Sequence, residues 1–152
     1  MVQIVIDEDV LDNLNNGDKP YGILPYWLNQ NKTTAAVSEL AFNNFIKTKE
    51  DQLKDLSDET KRIFFGMIKG QVSRIQDKNG ETCSINATKD LINSHYATIK
   101  YVIVKDPSHY RSQKLKVSDE FIVTVEGFYK LLEMEESGKE IITKFERRNI
   151  YE

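Results

Sequence analysis

Short apolar runs alternate along the chain with segments whose apolar residues recur at helical spacing. In four of these runs apolar or β-branched residues predominate, which is typical of strands that are buried on both faces of a sheet. The runs cover residues 2–6, 33–37, 101–104 and 121–125. Because strands and helices alternate, the pattern predicts a three-layer α/β domain with a central, mostly parallel sheet of about four to five strands.

Helical periodicity occupies the intervals between the predicted strands. Ser38 is suited to cap a helix over 39–47, and Ser57 is suited to cap a longer helix whose apolar positions continue through Val72 and Ile75. No repeat or linker divides the chain, so residues 1–152 are predicted to form a single domain. Further helices are predicted after Asp7, from Pro25, from Asn86 or Thr88, over 126–134 and in a tail at about 137–152.

Composition narrows the class of protein without naming a function. The chain has 39% hydrophobic and 30% charged residues and a formal net charge of −3, which is typical of a soluble globular domain. No segment approaches the ~20 apolar residues of a membrane-spanning helix, so we predict no membrane association. A single cysteine, Cys83, excludes an internal disulfide and predicts a reducing compartment, the cytoplasm.

Three aspartates lie at or near the carboxyl ends of the predicted strands, where parallel sheets bind their ligands. Asp7 and Asp106 each follow an apolar strand, and Asp90 falls in the predicted first turn of the helix that precedes the second of those strands. Clustered carboxylates repel one another by about 4 kcal/mol per pair at ~4 Å, and a divalent cation offsets that cost. Oxygen ligands favour Mg²⁺ or Mn²⁺. The other interpretation, isolated cap or turn aspartates, stays open from the residues alone.

Several segments together resemble the PIN-domain ribonucleases. The opening strand of that family is similar to IVIDEDVL at 4–11, its second half to KDLI at 89–92 and YVIVKD at 101–106, and its last strand and helix to 121–132. The resemblance covers most of the chain, and its specificity lies in the order and spacing of short motifs. It implies a PIN-like fold in which Asp7, Asp90 and Asp106 hold Mg²⁺ or Mn²⁺ and a water hydrolyses single-stranded RNA. For PIN toxins it also implies an antitoxin-like protein partner and a homodimer.

The sequence departs from the family pattern at some positions. Asn44 occupies the place where, counting from Ser38, the family usually has a glutamate, and Glu39 is the one carboxylate in the predicted helix over 39–47. Asp9 replaces a small polar residue, and Val104 replaces a serine or threonine. We therefore predict that Glu39, Asp9 or Asn44 completes the metal site, directly or through water.

Phosphate binding is assigned to neighbouring polar and basic residues. Lys105 and Arg111 belong to a local basic cluster and are predicted, together with Asn44, to bind the substrate.

Two alternatives to a nuclease remain. One is a catalytically degenerate PIN-like binding domain. The other is a phosphatase of the haloacid-dehalogenase type, in which Asp7 would be the phosphoryl-accepting nucleophile and Asp9 the acid/base. The second alternative lacks the later lysine and paired acids that such a phosphatase needs, because Lys105 and Asp106 are adjacent and no second acid follows closely.

Overall fold

A computed structural model describes the backbone of residues 1–151 and the side chains of residues 1–147. The described chain contains a five-stranded sheet in which every neighbouring pair is parallel, and this confirms the predicted α/β class. The strands are β1 (Ile4–Ile6), β2 (Ala35–Ser38), β3 (Val72–Ile75), β4 (Tyr101–Ile103) and β5 (Ile122–Val123). Their order across the sheet is β3-β2-β1-β4-β5.

Helices connect the strands and cover both faces of the sheet. The α-helices are α1 (Ile23–Gln30), α2 (Glu39–Gln52), α3 (Asp58–Lys69), α4 (Ser84–His95), α5 (Val125–Met134) and α6 (Glu136–Tyr151). Three 3-10 helices add Glu8–Asn15, Pro107–His109 and Asp119–Phe121. Within the described residues, no helix has the length and the apolar character that a membrane span requires.

The alternation of side chains along the strands divides the core into two layers. Ile4 and Ile6 of β1 belong to the larger cluster, which α1, α2, α5 and α6 complete. Val5 points to the opposite face and packs in a second cluster with Leu91 and Ile92 of α4. Each of these five side chains is at most 5% exposed. The sheet is therefore buried on both faces, as the apolar strand sequences predict.

Local capping explains where two helices begin. The Ser38 hydroxyl accepts a hydrogen bond of 3.0 Å from the backbone N–H of Ala41, and the Ser57 hydroxyl accepts one of 3.2 Å from Thr60. Both predicted N-caps are confirmed. Helix α2 continues to Gln52, beyond the predicted end at residue 47.

The long helix predicted after Ser57 is wrong in its last third, beyond Lys69. Helix α3 ends at Lys69 with Gly70 as its C-cap, and residues 72–75 form the edge strand β3. The three-residue spacing of Val72 and Ile75 fits a helix and also fits the two ends of a four-residue strand. Of the apolar positions assigned to a buried stripe, Ile63 is 56% exposed, whereas Ile68 is fully buried.

Other boundaries moved by a few residues. The predicted strand at 121–125 is reduced to β5, because its first residue lies in a 3-10 helix and its last residue opens α5. The helix predicted from Asn86 or Thr88 begins at Ser84 instead, so Asp90 lies in the second turn of α4 and not in the first. The helical tail is confirmed by α6, while residue 152 lies outside the described residues.

Candidate functional site

The strand order creates a crevice at one edge of the sheet. From β1 the chain builds β2 and β3 on one side, and it then crosses over to build β4 and β5 on the other side. In open parallel sheets, ligands bind outside the carboxyl ends of the strands at the point where the strand order reverses. That point lies between β1 and β4, and Asp7 is the residue immediately after β1.

Asp7 is a buried carboxylate with an incomplete set of hydrogen-bond partners. Asp7 is 8% exposed. Its Oδ2 accepts a long hydrogen bond of 3.5 Å from the Tyr110 hydroxyl. Its Oδ1 is buried and has no hydrogen-bond partner among the described residues. Burial raises the pKa of Asp7 to about 6, and the charge of Asp9 adds to the rise. The backbone N–H groups of Val10 and Lys105 and the Tyr110 hydroxyl act in the opposite direction.

Tyr110 connects Asp7 to helix α4. The ring is 1% exposed, and its hydroxyl donates to Asp7 and lies beside the fully buried Thr88. The Thr88 hydroxyl donates to the backbone carbonyl of Ser84 at 2.9 Å. Burial, and then the neighbouring negative charge of Asp7, raise the pKa of Tyr110, so the phenol stays protonated and remains a donor. The sequence did not identify Tyr110 or Thr88 as residues of the site. Tyr110 is separated from Asp7 by 103 positions.

Glu8 is a second carboxylate that sequence reasoning missed. It is half-buried, and it is hydrogen-bonded to Asn44 of α2 and to Ser84 at the start of α4. Burial raises its pKa, the bond to Asn44 lowers it, and the charge of Asp9 raises it further. Asn44 therefore contacts the carboxylate that is adjacent to Asp7 in the sequence. The only sequence signal for Glu8 was its position inside the acidic triplet 7–9.

Asp106 follows β4 as predicted and faces solvent. Its side chain is 53% exposed and accepts hydrogen bonds from the backbone N–H and the hydroxyl of Ser108, at 3.0 and 2.6 Å. His109 Nε2 lies 3.3 Å from the other carboxylate oxygen. The hydrogen bonds from Ser108 lower the pKa of Asp106. In this arrangement Asp106 caps the 3-10 helix that follows it.

Asp90 and Glu39 lie beside the other half of the sheet. The Asp90 carboxylate is 3.9 Å from Lys78 Nζ and lines a depression of about 130 Å³ together with Asp77 and His95. Glu39 is the half-buried first residue of α2. Over the side chains that the structure describes, no group of three or more His, Cys, Asp or Glu residues is arranged to hold a metal ion.

A cleft of about 370 Å³ opens at the same edge, beside the ends of β4 and β5. It combines carboxylates, a lysine, an aromatic ring and small polar groups. The lining residues are Asp9, Val10, Asn13, Tyr21, Val104, Lys105, Thr124, Val125 and Glu126.

The two predicted phosphate-binding cations have different surroundings. Lys105 is exposed and lines this cleft. The Arg111 guanidinium donates two hydrogen bonds, of 2.9 and 2.6 Å, to the backbone carbonyl of Ile122. Arg111 therefore ties the loop after β4 to β5, and it has only its remaining N–H groups to offer a substrate.

Comparison with known proteins found no match: no family model, no curated protein and no solved structure is significantly similar to this chain.

Proposed function

We propose that the chain is a PIN-type endoribonuclease that hydrolyses single-stranded RNA with Mg²⁺ or Mn²⁺. The observation that carries the proposal is Asp7, a carboxylate that is nine-tenths buried, with one unpartnered oxygen, at the switch point of a parallel sheet. A buried polar atom without a partner is costly, and such atoms are found where a ligand or ion binds. Asp7 and Asp106 follow β1 and β4, which are neighbours in the sheet, and this placement supports the proposal.

The chemistry of the residues around Asp7 suits a divalent cation. A positive ion beside Oδ1 would give that atom a partner and would lower the pKa of Asp7 from about 6. The carboxylates of Asp7 and Asp9 and the Tyr110 hydroxyl offer oxygen atoms, which are the ligands that Mg²⁺ and Mn²⁺ prefer. Asp7 would hold the ion, with Asp9, Glu39 or Asn44 to complete the site. The resemblance also assigns Asp90 and Asp106 to the ion, whereas the structure places Asp90 near Lys78, beside the other half of the sheet.

Each residue at this edge has a task in the proposed reaction. A bound divalent ion makes water more acidic and stabilises the charge of a phosphodiester under in-line attack. Tyr110 donates to Asp7 Oδ2 and would hold the carboxylate in one orientation, which leaves Oδ1 to bind an ion. Lys105 binds a phosphate of the RNA next to the bond that is cut.

A cleavage assay with matched variants tests the proposal. Purified protein is incubated with single-stranded RNA and Mn²⁺, and we expect cleavage that Asp7→Asn abolishes and that chelation of the metal prevents. The control is Asp55→Asn, because Asp55 is an exposed aspartate that is not among the residues predicted to bind the metal or the substrate. Equal cleavage by Asp7→Asn and by the parent would refute the assignment.

A non-catalytic PIN-like domain is the second candidate. It is favoured by the lack of a metal-holding group of acids in the described part of the chain and by Asn44 at the usual glutamate position. A parent protein that neither cuts RNA nor gains thermal stability from Mn²⁺ would support this candidate over the nuclease.

The phosphatase alternative is less compatible with the geometry. A phosphoryl-accepting nucleophile must be reached by its substrate, and Asp7 is only 8% exposed. Formation of an aspartyl-phosphate at Asp7 would nevertheless identify that chemistry.

The partners that the resemblance implies are proposals of the same standing. If the nuclease acts as a toxin, we expect a small antitoxin-like protein to bind it and a homodimer to form. Measuring the molar mass of the pure protein in solution tests the homodimer.

A further inference from the structure

We propose that the cleft beside the ends of β4 and β5 binds one base of a single-stranded RNA, and that it prefers bases with an amino group over uracil. The preferred bases are adenine, cytosine and guanine. This inference rests on the proposed nuclease function and names the base-binding part of the same site.

The size and the position of the cleft support this use. Its volume of about 370 Å³ lies within the range of small-molecule sites, roughly 300–1,000 Å³. Asp9 and Val10 form one wall, and they belong to the segment that directly follows Asp7. A base in this cleft therefore lies next to the carboxylate to which the cleavage chemistry is assigned.

The charges in the cleft favour a base over a phosphate. Asp9 belongs to the proposed metal site, so Glu126 is the carboxylate that a ligand in the cleft meets, and Lys105 is the one cation among the lining residues. A phosphate placed against Glu126 would be repelled by that carboxylate. A neutral base is not repelled, and Lys105 is then left to bind the phosphate that flanks it.

Tyr21 and Glu126 form a pair that suits a base with an amino group. The Tyr21 hydroxyl is hydrogen-bonded to the Glu126 carboxylate, and the residue is 37% exposed where its ring lines the cleft. Aromatic side chains stack on bases, and this contact tolerates any base. An ionised carboxylate has about four acceptor sites and no donor, so Glu126 still accepts from an amino group after bonding to Tyr21. Uracil has a carbonyl oxygen where cytosine has its amino group, and its N3–H donor lies between two carbonyl oxygens that a carboxylate repels.

Binding to short RNA oligomers tests the inference. The Asp7→Asn protein is titrated with fluorescent oligo(A) and oligo(U) so that no cleavage complicates the measurement. We expect oligo(A) to bind about tenfold more tightly than oligo(U), because a hydrogen bond to a charged group contributes more than a neutral one. Adding Tyr21→Ala should weaken oligo(A) binding about tenfold. Adding Glu126→Gln should bring the two oligomers to nearly equal affinity.

Matched substitutions elsewhere provide the controls. Tyr96→Ala removes a tyrosine that is 47% exposed after α4, and Glu140→Gln neutralises an exposed glutamate of α6. Both are expected to leave oligomer binding and the preference for oligo(A) unchanged. A melting curve verifies that each variant is folded, and Glu126→Gln alone decides the outcome if Tyr21→Ala is unfolded.

The possible results separate this inference from the proposed nuclease. Equal affinity of the Asp7→Asn protein for oligo(A) and oligo(U), or an effect of Tyr96→Ala as large as that of Tyr21→Ala, would overturn the base site. Cleavage of RNA without any change on substitution of Tyr21 and Glu126 would keep the nuclease and also reject the base site. A parent that binds oligo(A) preferentially through Tyr21 but never cuts RNA would keep the base site and reject the nuclease.

Discussion

Asp7→Asn should stabilise the metal-free protein at neutral pH while leaving its stability nearly unchanged in acid. The pKa of Asp7 is raised from 3.8 to about 6 in the folded protein, mainly by burial. The folded state therefore binds the proton more tightly than the unfolded state does. Between pH 3.8 and about 6 the free energy of unfolding falls as the pH rises. Below this window Asp7 is neutral in both states, and above it Asp7 is ionised in both.

The size of the effect follows from the pKa difference. The difference between 3.8 and about 6 corresponds to a loss of roughly 3 kcal/mol in the free energy of unfolding once Asp7 is ionised. Asparagine has the same shape without the charge, so this is the largest gain that the substitution can give. The amide also replaces an acceptor oxygen with an N–H₂ donor near the backbone N–H groups of Val10 and Lys105. We therefore expect a net gain of about 1–3 kcal/mol above the window, or about 2–12 °C in melting temperature.

The assay compares melting curves of the parent and Asp7→Asn across the pH range, in the presence of a chelator. The difference between the two melting temperatures should be small in acid and should grow as the pH rises through the window. With Mn²⁺ added at neutral pH, the parent should gain more stability than the variant, because at the proposed site the ion would bind the folded state through Asp7. Asp55→Asn serves again as the control and should show no such pH dependence.

A pH-independent difference would refute this reasoning. If Asp7→Asn were less stable than the parent by the same amount at every pH, Asp7 would be a structural hydrogen-bonding residue with an ordinary pKa. A loss of about 1–3 kcal/mol is expected in that case.

Tyr110→Phe should raise the pKa of Asp7 further, because the Asp7 carboxylate loses its one side-chain donor. At pH values above that pKa, the free energy of unfolding should fall by about 1 kcal/mol. Urea unfolding at several pH values measures this loss, and a loss that does not vary with pH would contradict the prediction. Ser38→Ala should lower the free energy of unfolding by about 1–2 kcal/mol because it removes a fully buried N-cap, whereas Ser57→Ala removes an exposed cap and should cost about 0.5–1 kcal/mol in the same urea experiment. Phe128→Ala should cost about 3–5 kcal/mol in thermal or urea unfolding because the side chain is fully buried in the larger core cluster, and a cost below 1 kcal/mol would contradict that packing.

The sequence predicted the elements whose signals are local. The apolar strands that end before Asp7 and Asp106 and the N-caps Ser38 and Ser57 are all present in the structure. Each depends on a few adjacent residues, and the parallel arrangement followed from the alternation of strands and helices. The edge strand β3 was misread because it is short and only half-buried, so its apolar residues did not form a run.

The arrangement of the candidate site was less predictable. Helix α4 starts after Cys83, whose side chain makes no capping hydrogen bond. The sequence therefore had no N-cap signal that would predict this start. The resulting offset moved Asp90 into the second turn, where it lies near Lys78. Tyr110 reads as an ordinary loop residue until the fold brings its hydroxyl to Asp7. These contacts depend on distant segments, and their prediction requires the three-dimensional structure.

Because β1 lies in the centre of the sheet, its two edges become paired at different times during synthesis. The ribosome makes β1, β2 and β3 first, and these strands can pair with one another while the rest of the chain is still missing. The other side of β1 pairs with β4, whose residues follow nearly a hundred positions later, and Tyr110 emerges later still. A nascent chain that ends before Tyr110 therefore leaves the Asp7 carboxylate without its hydroxyl partner and one edge of β1 unpaired. The surroundings of Asp7 are therefore assembled only after the segment that carries β4 and Tyr110 has been translated.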